Sequence, residues 1–383
     1  MVPDTCLGAK KPGHQMITVQ RILGQPPASV SQLANQFLDM NPQLSAPEEQ
    51  AVSTLVQEPG WILREFDFTR NKAIFFDIGD ADVINVPFSY IAQQRHAKRL
   101  ALVEFADFLD LASKLPRKHR IVQFYNIGHC GSTLLHNVFN ESGEAWDISE
   151  PRLTWDLPMA RNVVPRPQLL ALAAASLTFL SRYPRADERK TLVVKHVSQC
   201  TKAYDLWQEA WPDAKNIYMY RDGISWCNSL YGFVQRVGLR DPISVEMRHF
   251  SWMMTSGGEP ESFLDGIVDL NAEPFKFWEL AACAWGLHMQ EILAAHSAGL
   301  HTCAFRYNEL MGNRGGVLQE IFAHCGLNTD AVGKGLHAFA HDAHEGEETA
   351  HDMPVENLTD AAKARVREIL QNSRFNLNPE MIL

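Results

Sequence analysis

Apolar residues recur along this chain with two different spacings, and the alternation between them predicts most of the fold. Residues 61–68 and 73–78 read as strands, and the polar pair Arg70-Asn71 between them suits a turn. Leu102, Phe105, Leu109 and Ala112 recur at steps of three and four, which predicts a helix that stops at Pro116. A basic run follows, Arg117, Lys118, His119 and Arg120, and a boundary is placed there. Residues 1 to about 50 are rich in Pro, Gln and Ser, carry a weak helical signal, and read as a loosely ordered lead-in. Residues 1–115 are therefore expected to form a lead-in and a small α+β module, and residues 116–383 a larger α/β domain.

Beyond Arg120 short apolar runs alternate with helical stripes. Residues 121–127, 145–149, 191–197, 216–220 and 301–305 read as buried strands. Helices are expected from near Thr133, over 168–182, 201–211 and 223–237, and over 315–325. Trp278, Ala281, Trp285, Met289 and Ile292 share one further helical face. At the end of the chain Thr359 is a good N-cap for a helix whose apolar stripe is Ala362, Val366 and Ile369. Alternation of this kind predicts a three-layer α/β/α fold with a central parallel sheet. Ligands in that architecture sit at the carboxyl ends of the strands.

Composition narrows the function classes. The chain has 383 residues, 46% of them hydrophobic, so a sizeable core can be buried. Its net charge of −10 provides no global basic footprint, which argues against nucleic acid as a partner. Seven scattered cysteines without a CxxC pair point to reduced thiols and a cytoplasmic protein. The first residues lack the apolar core of a signal peptide. The most apolar stretch, 169–180, falls short of the about 20 residues a membrane span needs.

The candidate chemistry starts at Gly128-His129-Cys130-Gly131-Ser132-Thr133, which joins the first of these strands to a helix. Glycines at both positions permit unusual backbone conformations and close approach. The N–H groups of Gly131, Ser132 and Thr133, the helix dipole and two hydroxyls would together make an anion cradle. A plain strand-to-helix turn capped by Ser132 fits the same residues. A Walker A loop needs Gly-x4-Gly-Lys-Ser/Thr; here the second glycine comes too early and no lysine follows, which argues against a nucleotide kinase or NTPase.

The loop resembles the 5′-phosphosulfate loop of sulfotransferases that use 3′-phosphoadenosine 5′-phosphosulfate (PAPS). His129 falls on the family's basic position, Cys130 on its serine, and Gly131, Ser132, Thr133 and Leu134 on the rest. Ser149-Glu150-Pro151 resembles the Glu-Pro that ends the second strand, and Val194-Lys195-His196 the end of the third. Arg221, with Ser229 eight residues later, resembles the 3′-phosphate motif. The segment Phe305-Arg306-Tyr307-Asn308-Glu309-Leu310 resembles a late Arg-Tyr-Glu-Asp-Leu. The resemblance covers roughly residues 120–325. The Gly-rich C-terminal loop of the aryl and steroid members has no clear counterpart.

The resemblance implies PAPS as co-substrate, no metal, and a small-molecule or glycan or lipid acceptor bearing a hydroxyl or amine. Arg221 would pair with the 3′-phosphate, helped by Ser229 and by Ser225 one turn earlier. Lys195 would stabilise charge on the sulfonate in transit. Glu150 and His196 compete as general base, with Glu150 preferred. His129 stands where the family has Lys or Arg. An imidazole of intrinsic pKa about 6.5 is only partly charged at neutral pH, though a phosphate neighbour favours its cation. That departure keeps open a second reading, a non-catalytic nucleotide- or anion-binding member of the fold acting as an interaction protein. Cys130 is either a reactive thiol at a helix N-terminus or a small packing residue. His337, His341 and His344 are spaced to share a helix face, but nothing completes a metal pattern. Trp155, Trp252, Trp278 and Trp285 are candidates for aromatic walls of an acceptor site or for core.

Overall fold

Among the described residues, ten strands divide into two sheets of opposite character. A computed structural model describes residues 16–23, 43–83, 86–117, 119–182, 189–236, 243–300, 302–341, 355–372 and 374–383. Cys6 and His344 lie outside these.

The first sheet is antiparallel. It contains β1 (Met16–Arg21), β2 (Glu48–Ala51), β3 (Trp61–Asp67), β4 (Lys72–Asp77) and β5 (Arg99–Glu104), in the order β2-β1-β5-β4-β3. Helices α1 (Thr54–Gln57), α2 (Ser89–His96) and α3 (Phe105–Ser113) accompany it. Two expectations change here. The lead-in contributes two strands, β1 and β2, and Leu102 lies in β5, so the helix begins only at Phe105.

The second sheet is the expected parallel one: β6 (Arg120–Asn126), β7 (Trp146–Ser149), β8 (Thr191–Lys195), β9 (Lys215–Tyr220) and β10 (Thr302–Arg306), in the order β10-β9-β6-β8-β7. Its strands are apolar on both faces because helices cover both. These include α4 (Ser132–Ser142), α5 (Leu153–Ala160), α6 (Arg166–Leu180) and α7 (Tyr204–Ala210). The chain continues through α8 (Gly223–Arg236), α9 (Val245–Ser256), α10 (Phe277–Ser297), α11 (Tyr307–Gly312), α12 (Arg314–Cys325), α13 (Val332–Gly335) and α14 (Asp360–Gln371). Thr359 caps α14 as expected, its hydroxyl accepting from the Ala362 N–H. From β6 the chain moves outward to β7, and from β9 in the opposite direction to β10. The carboxyl ends of the adjacent strands β6 and β9 therefore flank a topological switch point, where this architecture opens a crevice.

The two sheets share one apolar core. Phe179 of α6 packs against Phe75 of β4 and Phe108 of α3, each at 5.2 Å between ring centroids. A buried polar latch reinforces the joint. Asp156 of α5 accepts from the Phe66 N–H of β3 at 2.9 Å, and Arg152 Nε lies 3.4 Å from Asp156 and 3.8 Å from Glu65. Burial pushes the Asp156 carboxyl up to about 7, outweighing the opposing pull of Arg152. The folded chain then holds a proton that the unfolded chain releases above about pH 4. This group's contribution to stability should accordingly fall as pH rises from about 4 to about 7, by at most about 1.4 kcal/mol per unit. Denaturant unfolding across that range should show the slope in the wild type and a flatter profile in Asp156→Asn.

No helix among the described residues is long and apolar enough to cross a membrane. Nor do the described residues include a group of three His, Cys, Asp or Glu placed to hold a metal ion; His337 and His341 are exposed on the surface.

Candidate functional site

The loop after β6 is held from three sides. Asn126, the last residue of the strand, accepts from the Gly128 N–H at 2.8 Å and donates to the His196 carbonyl at 2.7 Å. Trp226 of α8 donates its indole N–H to the carbonyls of Ile127 and Gly128 at 3.1 and 2.8 Å. On the third side stands the ring of Tyr307. A Cβ on Gly131 would come within 2.6 Å of it, and Gly131 has φ of +87°, so glycine is required there twice over. Gly131 is the N-cap of α4 and no side chain caps that end. The Ser132-capped turn is thus not what forms. Instead the helix N-terminus opens beside the buried hydroxyls of Ser132 and Thr133. Leu134 follows, half-buried.

The carboxyl ends of β7 and β8 meet the same helix end through one ammonium group. Lys195, wholly buried, donates to Glu150 Oε1 at 2.8 Å, Ser149 Oγ at 3.1 Å and Thr133 Oγ1 at 3.3 Å. Three oxygens use its three donors, fixing the charge at the base of the crevice. Glu150 keeps 20% of its side chain exposed. It adopts φ of +51°, uncommon for a residue with a side chain, and its N–H donates to the Lys195 carbonyl. The segment entering α2 closes this side: Ser149 Oγ donates to the Pro87 carbonyl, and the Phe88 ring lies 5.9 Å from Lys195 Nζ.

Arg221 directly follows β9, at its carboxyl end as expected. Its guanidinium stacks over Tyr307, 4.8 Å from the ring centroid, and its buried Nε has no hydrogen-bond partner among the described residues. Asp222 is not its partner; that carboxylate caps α8 by accepting from the Ser225 N–H at 2.9 Å. Ser225 and Ser229, four residues apart on α8, share a half-buried face. One tyrosine therefore joins the open end of α4 to Arg221, with Gly131 at its edge and the guanidinium over its face.

Of the remaining expected site residues, some turn away from this cluster. Lys195 and His196 are consecutive in an extended segment and so point to opposite sides of the sheet. The His196 ring is wholly buried between Tyr125 and Trp207, with Gln123 at 2.5 Å and Cys200 at 3.3 Å. Burial pulls it down to about 3, which makes it a neutral core histidine. Glu150, not His196, reaches the ammonium. Cys130 is buried, its thiol donating to the Met219 carbonyl, and burial pushes it up to about 11, so it is a packing residue. His129 is half-buried with its ring 4.7 Å from Phe233. Trp252 and Trp285 are core, Trp278 is half-buried, and Trp155 stands on α5 just beyond Glu150. Sequence reasoning missed Asn126, Trp226, Phe88 and the joining role of Tyr307. Only Asn126 left a signal, as a polar residue closing an apolar strand directly before a glycine loop.

The arrangement combines an open helix N-terminus, a fixed cation, a partly exposed acidic side chain and an arginine whose buried Nε is unmet among the described residues. It suits binding a di-anionic ligand and removing a proton from a second reactant. No family model and no curated protein matches the chain. Among solved structures it is similar to a sulfotransferase domain from the curacin biosynthetic pathway, at 14% identity and a TM-score of 0.39, over 69% of this chain and 100% of that one. It is also similar to the sulfotransferase STF9 from Mycobacterium avium, at 11% identity and a TM-score of 0.37, over 71% and 80% of the two chains. Likenesses this loose bear no weight for function.

Proposed function

We propose that the protein is a PAPS-dependent sulfotransferase acting on a hydroxyl or amine acceptor. One observation carries the reading: Thr133, Ser149 and Glu150 converge on Lys195 at the strand ends, beside a loop that Tyr307 joins to Arg221. The residues fit the donor. The open end of α4 with Ser132 and Thr133 would hold the 5′-phosphosulfate, and His129, Cys130, Gly131 and Leu134 would line that loop. The unmet Nε of Arg221 would take the 3′-phosphate, with Ser229 adding a hydroxyl. PAPS supplies the sulfonate and a 5′-phosphate leaving group.

In this scheme Glu150 removes the proton as the acceptor oxygen bonds to sulfur. The bond from sulfur to the 5′-phosphate oxygen breaks, and its electron pair leaves with the phosphate. Lys195, held in place beforehand, stabilises the charge that develops, as positioned cations do in phosphoryl transfer. His129 stands nearest in sequence to the leaving group's cradle, and its cationic form would be favoured there.

His129 also favours the rival reading, a non-catalytic anion-binding protein, because a permanent charge is missing. Release of 3′,5′-adenosine bisphosphate from PAPS separates the two. Acceptor-dependent release that His129→Ala removes and His129→Lys largely keeps is the expected result. Absence of release in both the wild type and His129→Lys, over a broad acceptor panel, would leave the rival.

A further inference from the structure

One buried carboxylate behind the crevice takes no part in the transfer scheme. Asp147 lies in β7, wholly buried, and neither of its oxygens accepts a hydrogen bond among the described residues. Side chains two apart on a strand share a face. Asp147 therefore lies on the face of Ser149, whose hydroxyl accepts from the Lys195 ammonium. The register agrees, with Ser149 opposite Lys195 and Asp147 opposite Val193. Asp147 thus stands about 7 Å behind Ser149 along the strand.

Helix α4 covers both. Thr133, in its first turn, accepts from Lys195, and His136, three residues on, brings Nδ1 to 3.5 Å from Asp147 Oδ1. That is longer than an ordinary hydrogen bond. Asn140, one turn beyond His136, lies 3.3 Å from its Nε2 and accepts from the Asp147 N–H at 2.9 Å. The strand at Asp147 is tied to α4 while the carboxylate receives no donor among the described residues. The three donors of Lys195 are already used, so any interaction with Asp147 is one of charge alone.

The surroundings offer few other charges. Glu150 ends the same strand, and from the loop side the Cys130 thiol feels both Lys195 and Arg221. Arg189 stacks on Trp146, which alternation sends to the opposite face. Lys334 and His337, on segments packed over α4, are exposed. A buried carboxylate without donors is costly unless a nearby cation balances it. Lys195 is that cation on the same face.

The transfer step gives this second carboxylate a task. As Glu150 takes the acceptor's proton it becomes neutral, and Lys195 loses its carboxylate partner while charge develops beside it. Burial disfavours an ammonium left in that state. We propose, resting on the sulfotransferase reading for the transfer step alone, that Asp147 is a positioning residue. It is the standing counter-charge that keeps Lys195 cationic while Glu150 carries the proton.

Denaturant unfolding tests the charge balance without any substrate, by placing Asp147→Asn in two backgrounds. In Lys195→Met the carboxylate has lost its cation, so adding Asp147→Asn should lower the unfolding constant about tenfold or more. In Glu150→Gln the ammonium depends on Asp147, so the same addition should raise that constant about tenfold or more. Failure of the Glu150→Gln pair to fold, beside a folded Lys195→Met pair, is the second result in its extreme form. Equal effects of Asp147→Asn in the two backgrounds would overturn the proposal. Kinetics tests the transfer step. Asp147→Asn should bring the alkaline fall of kcat about one pH unit lower, with KM nearly unchanged. An unshifted profile overturns the role in transfer. Absence of transfer in the wild type would remove the sulfotransferase reading and that role with it, while the unfolding result would still decide the charge balance.

Discussion

Lys195→Met should lower kcat for sulfonate transfer about a hundredfold to a thousandfold, the usual effect of removing one preorganised electrostatic group beside developing charge. Methionine keeps most of the volume, so the core around β8 remains packed. The charge is what disappears. Lys195 makes its three contacts before any substrate arrives, so little reorganisation accompanies the reaction. The substitution also leaves Glu150 without its partner. Breaking a wholly buried pair costs about 3–5 kcal/mol. Here the loss should fall below that range, because the Glu150 side chain is partly exposed. Glu150→Gln provides the comparison, losing kcat with nearly unchanged affinity for 3′,5′-adenosine bisphosphate. Steady-state kinetics with calorimetry on both variants checks this. Full transfer activity in Lys195→Met would remove the ammonium from the mechanism.

Arg221→Ala should weaken 3′,5′-adenosine bisphosphate binding about tenfold to a hundredfold, the worth of a charge-assisted contact. It should leave 5′-AMP binding almost unchanged. The difference between the two nucleotides isolates the 3′-phosphate. The fold should tolerate the change, since Arg221 makes no ion pair among the described residues and its Nε lacks a partner. Tyr307→Ala should harm both nucleotides, because the ring supports Gly131 as well as Arg221. Equal loss for the two nucleotides in Arg221→Ala would place the 3′-phosphate elsewhere.

The parallel sheet was legible because its strands are continuous apolar runs bounded by glycine loops or helices, a pattern set by burial on both faces. The antiparallel sheet was only half legible. β2 reads Glu-Glu-Gln-Ala and lies at a sheet edge, where little burial marks a strand. β5 runs directly into α3, so that Leu102 fell by chance into the spacing of Phe105 and Leu109. In the candidate site, the strand-end positions of Lys195, Glu150 and Arg221 were legible from their charge after apolar runs. Alternation along the end of β8 already implied that His196 could not share a side with Lys195. Tyr307, Trp226 and Phe88 reach the loop and the ammonium from distant segments, and local spacing carries no trace of such contacts.

The central claim is that the loop after β6 and Arg221 together bind a nucleotide bearing both 5′- and 3′-phosphates. Calorimetric titration with 3′,5′-adenosine bisphosphate, set against 5′-AMP, tests it most directly. The account predicts saturable binding of the bisphosphate with a clear preference over 5′-AMP. No binding of the bisphosphate at millimolar concentration would contradict it.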